Sequence, residues 1–154
     1  MNNKISALSL IISAGISLTA TAGGIGWTTD FAAATNAAAN RSVPVFAYFS
    51  ASDTSEDCLR FDLLVLKKPE FQSFINSNFV PFEADLTRNN SPKDQATPEK
   101  IKEQNSKLRK TYGVNSYPTV LVLNYKGQKI AAANYDGKSN VAKYIEELRK
   151  ILKR

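Results

Sequence analysis

The chain contains no histidine and only one cysteine, Cys58, among its 154 residues. The lack of histidine excludes histidine-based catalysis, since no imidazole is present to act as a general base or to activate a serine. Histidine and cysteine are also the main protein ligands of zinc and similar ions, so we expect no transition-metal site and no other cofactor. A single thiol has no second cysteine with which to form a disulfide inside the chain.

The sequence has one long apolar run, residues 5–18, which is shorter than the about 20 residues that a membrane-spanning helix requires. Lys4 precedes this run and the small residues 19–22 follow it, which is the pattern of a secretory signal peptide. We therefore predict a signal peptide at residues 1–22 and one domain at residues 23–154, exported to the periplasm or secreted. An uncleaved anchor is the alternative, and the absence of a cysteine near the junction argues against a lipoprotein.

The net charge is +6, from 20 basic and 14 acidic residues. Most basic residues lie on helical stretches among acidic ones, as in Glu146-Glu147-Leu148-Arg149-Lys150. Such a mixture is typical of a solvated helix face, so we expect neither nucleic-acid binding nor membrane contact after signal-peptide cleavage. The length and the 43% hydrophobic content suffice for a single core, and we expect a monomer.

Hydrophobic periodicity and turn residues predict alternating helices and strands. Thr29 or Asp30 caps the first predicted helix, Thr97 caps the one that Gly113 ends, and Ser139 caps the last. Between the first and the last helix we predict a strand at 43–49, helices at 55–66 and from 69, and a strand at 79–85. A loop at 86–97, a helix from 98, and a hairpin of strands 119–123 and 129–133 follow. A right-handed crossover makes the first two strands parallel, so the hairpin completes a mixed sheet with helices on both faces.

The stretch from Phe46 to Phe61 is the centre of this arrangement. It begins as a strand that is apolar without alternation, which suits a strand covered on both faces. Residues 52–55 then offer four good N-cap side chains in a row, and two acids occupy the first turn of the following helix. Cys58, Phe61 and Val65 have helical spacing, so we predict that the Cys58 side chain faces the core.

This strand, polar turn and helix resemble the strand–(Trp-Cys-x-x-Cys)–helix element of thioredoxin-like proteins. The resemblance aligns Thr54 with the Trp, Ser55 with the first Cys and Cys58 with the second. A second stretch, Tyr-Gly-Val-Asn-Ser-Tyr-Pro-Thr at 112–119, resembles the family segment that places a cis-proline, here Pro118 after Tyr117, beside the active site. The likeness extends from Trp27 to the C-terminus and implies an α/β thioredoxin-like fold.

The resemblance also implies that the dithiol chemistry of the family is altered here. In the family the first cysteine attacks, and a serine hydroxyl at Ser55 stays protonated and has no histidine to activate it. The usual Trp is Thr54, and Tyr48 or Phe49 stands where many catalytic members place a buried acid. Three parts of the mechanism thus differ, and dithiol turnover is not expected. The alternative reading is structural: Ser55 is only an N-cap, Cys58 a small buried hydrophobe, and Pro118 part of a turn.

Two functions follow from the resemblance. The first is an exported module that has lost oxidoreductase activity and binds a protein or peptide client in a groove formed by Thr54, Ser55, Tyr117 and Pro118. The second is a redox protein that uses Cys58 alone as its catalytic residue and forms mixed disulfides with a client thiol or glutathione. A purely structural role is the third. Exposure of the Cys58 sulfur separates the first two.

Overall fold

The computed structural model describes residues 26–153. Its sheet has four strands in the order β2-β1-β3-β4, namely β1 (Val45–Ser50), β2 (Val80–Asp85), β3 (Thr119–Leu123) and β4 (Lys129–Ala132). β1 and β2 are parallel, whereas β1–β3 and β3–β4 are antiparallel. The predicted mixed sheet is therefore confirmed. The signal peptide predicted at residues 1–22 lies outside the described residues.

Helices cover both faces of this sheet. They are α1 (Phe31–Arg41), α2 (Glu56–Phe61) with a π-helical continuation at Asp62–Leu66, α3 (Pro69–Asn78), α4 (Pro92–Ala96), α5 (Glu99–Tyr112) and α6 (Val141–Leu152). All six residues of β1 are buried, as expected for a central strand. Phe46 and Tyr48 belong to the core beneath α2, α3 and α6, while Ala47 and Phe49 belong to the core beneath α1 and α5.

Aromatic side chains form much of the core under α2. The Phe61 ring stacks on Tyr135 with centroids 4.7 Å apart and meets the edges of Tyr48 and Tyr144 at 5.6 and 5.1 Å. Trp27, which is partly buried, packs edge-on against Phe46 and Tyr48 at the border of this core. The rings fix the position of α2 and therefore of the polar turn that leads into it.

Three local predictions were wrong. The predicted loop at 86–97 contains α4, a helix too short to show periodicity, which Ser91 caps. Thr97 does not cap α5, because its hydroxyl donates to the carbonyl of Lys93 within α4, and Pro98 precedes α5 instead. Asn140 rather than Ser139 caps α6, since the Ser139 hydroxyl is bound to a neighbouring carboxylate. The Thr97 and Ser139 hydroxyls bind other groups instead of capping a helix. These groups come close because of local turns, which the sequence pattern does not show.

Other predicted signals are confirmed. Asp30 caps α1 and accepts a hydrogen bond from the Ala33 N–H at 3.0 Å. Gly113 ends α5 with a positive φ of 64°, a conformation that glycine adopts without the steric cost of a Cβ. Within residues 26–153, none of the helices combines the length and the apolar character that crossing a bilayer requires.

Candidate functional site

The candidate site begins where β1 ends and α2 starts. Ser55 has an extended backbone and is the N-cap of α2, where its Oγ accepts a hydrogen bond from the Cys58 N–H at 3.2 Å. The acids Glu56 and Asp57 occupy the first turn, next to the positive end of the helix dipole. The backbone N–H groups of Thr54 and Ser55 both donate to the Ala51 carbonyl, which closes the turn. The sequence thus specifies the local structure at Ser55 by itself.

The segment containing Pro118 meets Ser55 across the sheet. β1 and β3 are antiparallel neighbours with Phe49 opposite Thr119, so the end of β1 lies beside the start of β3. The peptide bond between Tyr117 and Pro118 is cis. The Ser55 hydroxyl lies 3.4 Å from the Tyr117 carbonyl oxygen, a long hydrogen bond that joins residues 62 positions apart. The fold therefore brings together the two stretches on which the resemblance rests.

Tyr117 lies between two clefts. A cleft of about 450 Å³ contains Tyr117 and Pro118 and is bordered by charged side chains of both signs, among them Asp57, Arg60 and Asp136. A larger polar cleft of about 860 Å³ lies on the other side of Tyr117, toward α5. Of the four predicted groove residues, Tyr117 and Pro118 line the smaller cleft. Thr54 is exposed and Ser55 half-buried, and neither lines it.

Cys58 lies on the side of α2 that faces the core. Its side chain is buried, with 2% exposed, as its spacing with Phe61 predicted. The thiol lies next to the hydroxyl of Tyr48. Burial has the largest effect on the pKa of Tyr48 and the Cys58 thiol has the next largest, and both raise this pKa, which lies far above its usual value. Tyr48 rather than Phe49 therefore faces Cys58, because Phe49 points to the other face of the sheet.

A half-buried carboxylate near this site was not predicted from the sequence. Glu83 on β2 is opposite Tyr48 in the parallel register, and its Oε1 accepts a hydrogen bond from the Ser50 hydroxyl at 2.7 Å. Burial raises the pKa of Glu83, and the bond from Ser50 opposes that shift. This carboxylate therefore lies on β2, the strand next to β1. The only sequence signal is a glutamate inside a strand whose other residues, apart from Asp85 at its end, are apolar.

The turn between β1 and α2 is also tied to the chain after β2. Asp85 accepts hydrogen bonds from the Ser52 N–H at 3.0 Å and from the Ser52 hydroxyl, and it forms an ion pair with Lys93 at 2.6 Å. Asp53 accepts from the Arg88 N–H at 2.9 Å. These contacts fix the polar turn from the side of α4, so the segment predicted as a loop supports the candidate site.

Asp136 forms the outer wall of the smaller cleft. Its carboxylate accepts hydrogen bonds from the N–H of Lys138 at 2.9 Å, from the N–H of Ser139 at 2.6 Å and from the Ser139 hydroxyl at 2.8 Å. These bonds hold the pKa of Asp136 well below its usual range, and the bond from the Lys138 N–H has the largest effect. The carboxylate therefore acts as the organising acceptor of the turn that precedes α6.

We expect Asp136→Asn to destabilise the protein most at neutral pH. A carboxyl whose folded-state pKa is depressed contributes its full stability above its unfolded-state pKa, near the ordinary 3.8, and loses that contribution as the pH falls below it. The difference in urea midpoint between wild type and variant should therefore shrink between about pH 7 and about pH 2. Glu103→Gln, at an exposed side chain without an ion pair among the described residues, is the control. A pH-independent difference for Asp136→Asn would contradict this role.

The described residues offer no metal site. In the range 26–153, no group of three or more Cys, Asp or Glu side chains has the arrangement needed to hold a metal ion. The chemistry available at the site is therefore that of hydroxyls, backbone amides, carboxylates and one buried thiol.

Comparison with known proteins places this geometry in a family. Residues 31–152 match the thioredoxin-like domain family. The thioredoxin-related protein DsbJ of Chlamydia pneumoniae is 26% identical over 104 residues, which are 68% of this chain and 28% of that protein. The disulfide bond reductase DsbH of the same organism is 23% identical over 110 residues, 71% of this chain and 63% of that protein. The chain thus spans less than two thirds of the length of either relative.

Solved structures share the fold. A DsbH oxidoreductase superposes with a TM-score of 0.75 at 20% identity, covering 99% of this chain and 95% of that one. A thioredoxin from Thermus thermophilus gives a TM-score of 0.61 at 19% identity, with 84% and 88% covered. The family match extends over most of the chain, and the mixed sheet with helices on both faces agrees with it. The chain therefore belongs to the thioredoxin-like domain family.

Proposed function

We propose that this protein is an exported thioredoxin-like module that has lost dithiol oxidoreductase activity and binds an extended peptide or protein client beside Ser55 and Pro118. The observation that carries the proposal is the place of Ser55. It is the N-cap of α2 and faces the Tyr117 carbonyl, at the position where the resemblance to the family predicts the attacking cysteine. A serine there keeps the cap but supplies no thiolate.

The Tyr117–Pro118 segment provides the surface for such a client. Both residues are half-buried and line an open cleft, so backbone and side chains remain partly accessible. Among residues 26–153, no hydrogen-bond acceptor is paired with the N–H of Tyr117, and its carbonyl has only the long contact to Ser55. An extended peptide can therefore pair with this backbone as an added strand does. Arg60 and Asp57 on one wall offer charges for client side chains.

Site-specific photo-crosslinking tests client binding. We expect a photo-reactive amino acid in place of the exposed Thr54, next to Ser55, to capture discrete exported proteins in living cells. The same residue in place of Glu70, which is exposed at the start of α3, is the matched control and should not capture them. Identical captured bands at both positions, or none at Thr54, would argue against a client-binding groove.

A second candidate function is single-cysteine thiol–disulfide exchange through Cys58. The contact with Tyr48 favours it, because a hydroxyl beside a thiol can donate a hydrogen bond to a thiolate. The relative DsbH is named a disulfide bond reductase, which also favours thiol–disulfide chemistry. This function requires the Cys58 sulfur, 2% exposed in the structure, to become accessible to a second thiol.

Iodoacetamide labelling distinguishes the two functions. For the client-binding module we expect native Cys58 to react far more slowly than the same thiol in urea-unfolded protein, because the fold excludes the reagent. Cys58→Ala should then leave client capture at Thr54 unchanged. If native Cys58 reacted at neutral pH as fast as in the unfolded chain, the single-cysteine function would replace the first proposal.

A further inference from the structure

An apolar cleft opens at the end of the molecule opposite the candidate site. This basal cleft has a volume of about 580 Å³, and its walls include Val122, Ile130 and Ile151. It lies where β1 begins and β3 ends, whereas Ser55 follows the end of β1. Since a six-residue strand is about 20 Å long, the two sites are well separated.

The rim of the basal cleft exposes large apolar side chains. Tyr125 in the β3–β4 turn is 52% exposed, Ile130 on β4 is 53% exposed, and Leu152 at the end of α6 is 37% exposed. The β3–β4 hairpin and the end of α6 therefore contribute apolar surface around one concavity. Scattered single exposures need no explanation, but a contiguous apolar concavity is typical of an interaction site.

Basic residues predominate in the chain segments that form this cleft. The segments that form it, residues 39–44, 122–132 and 150–153, contain lysine or arginine but no aspartate or glutamate. The lysines are Lys126, Lys129, Lys150 and Lys153, and none of them forms an ion pair within residues 26–153. The opposite end of the molecule carries acids, among them Asp53 and Glu56. The basal cleft therefore combines an apolar interior with flanking segments that are rich in lysines unpaired among the described residues.

We propose that the basal cleft is a second docking site, which binds an amphipathic segment of a partner protein with apolar side chains on one side and carboxylates on the other. The apolar side chains enter the concavity beside Ile130, and the carboxylates face the lysines around it. This occupant satisfies both the shape and the charge of the cleft. It does not depend on the groove at Ser55, which can be empty or filled at the same time.

Two other occupants fit less well. A lipid bilayer presents a broad surface and no protruding side chains to fill a concavity, although anionic headgroups would pair with the lysines. A second copy joined cleft to cleft would place Lys126 and Lys129 against the same residues of the other copy, which like-charge repulsion disfavours. Both remain distinct outcomes of the experiment below.

A designed acidic amphipathic helix of leucine and glutamate, added to the isotope-labelled protein in NMR titrations, tests the proposal. We expect saturable shift changes at the backbone amides of Tyr125, Ile130 and Leu152, with smaller or no changes at Ser55 and Tyr117. The double substitution Lys126→Glu and Lys129→Glu should weaken binding at least tenfold, and added salt should weaken binding to the wild type. A peptide with the same leucine face but lysine in place of glutamate should bind at least tenfold more weakly.

The matched control is the double substitution Lys107→Glu and Lys110→Glu on α5, which makes the same change in net charge at exposed positions away from the cleft. It should leave binding of the acidic peptide within about twofold of wild type. Equal losses in both double variants, or no saturable shifts, would overturn the proposal. Binding to phosphatidylglycerol vesicles in preference to the peptide would assign the cleft to lipid. Concentration-dependent dimers that Ile130→Gln abolishes would assign it to self-association.

Discussion

Ser55→Cys is expected to form an intramolecular disulfide with Cys58 under mild oxidant. Residues three apart at the start of a helix have their Cβ atoms about 5–6 Å apart, and small backbone adjustments bring such pairs to disulfide geometry. The Ser55 Oγ already lies over the first turn, 3.2 Å from the Cys58 backbone nitrogen. Oxidised glutathione should therefore remove both thiols, and mass spectrometry should show the loss of two hydrogens and no bound glutathione.

The same variant restores the reactive part of the family motif. Wild-type protein should not accelerate insulin reduction by dithiothreitol above the rate of the reductant alone, because Ser55 supplies no thiolate. Ser55→Cys should exceed that rate. Thr54→Cys is the control, because it adds a thiol at the residue before Ser55. This thiol should form a mixed disulfide with glutathione while Cys58 stays free. A wild-type protein with multiple turnovers would contradict the loss of dithiol activity. A folded Ser55→Cys variant that keeps two free thiols would contradict the alignment.

Phe61→Ala is expected to produce the largest loss of stability near the site. The ring is fully buried and contacts Tyr48, Tyr135 and Tyr144. Removing a buried phenylalanine leaves a cavity and typically costs about 3–5 kcal/mol of the free energy of unfolding. Urea unfolding followed by circular dichroism measures this loss, and Phe61→Leu should show a smaller one.

Leu59→Ala is the control for that experiment. Leu59 lies on the same helix but is 56% exposed, so its truncation should change the free energy of unfolding by no more than about 0.5 kcal/mol. Labelling of Cys58 should increase in Phe61→Ala and not in Leu59→Ala, because the cavity opens the core beside the thiol. A similar loss of stability in both variants would mean that α2 does not pack as the structure shows.

Much of the fold was predictable because its signals are local. β1 is apolar without alternation, and it is buried on both faces. Asp30 and Ser55 have N-cap side chains at the start of periodic segments, and both cap helices. Gly113 has the positive φ that ends a helix. Each of these features depends on a few consecutive residues, so the pattern contains enough information.

The failed predictions depended on choices between competing partners. α4 has only five residues, fewer than periodicity needs, and Ser91 with Pro92 is its only signal. Ser139 was a good cap by composition, but Asp136 binds its hydroxyl and Asn140 takes the cap position. Propensity ranks such residues equally, and geometry in the turn selects one of them.

The sequence by itself determined what chemistry this chain lacks. Without histidine it has no imidazole to activate a serine, and with Cys58 alone it has no second thiol, whatever its fold. Composition sets these limits because a missing functional group cannot be supplied by folding. The sequence also placed Cys58 on the core side of α2, since helical spacing with Phe61 fixes that orientation.

Only the tertiary structure decided what surrounds that thiol and that serine. Strand order brings Glu83 of β2 beside Tyr48, and the antiparallel register of β1 and β3 brings the Tyr117 carbonyl to the Ser55 hydroxyl. The basal cleft likewise exists only where the ends of α6, β3 and β4 meet. Contacts between residues dozens of positions apart depend on the packing of the whole chain, and no local pattern encodes them.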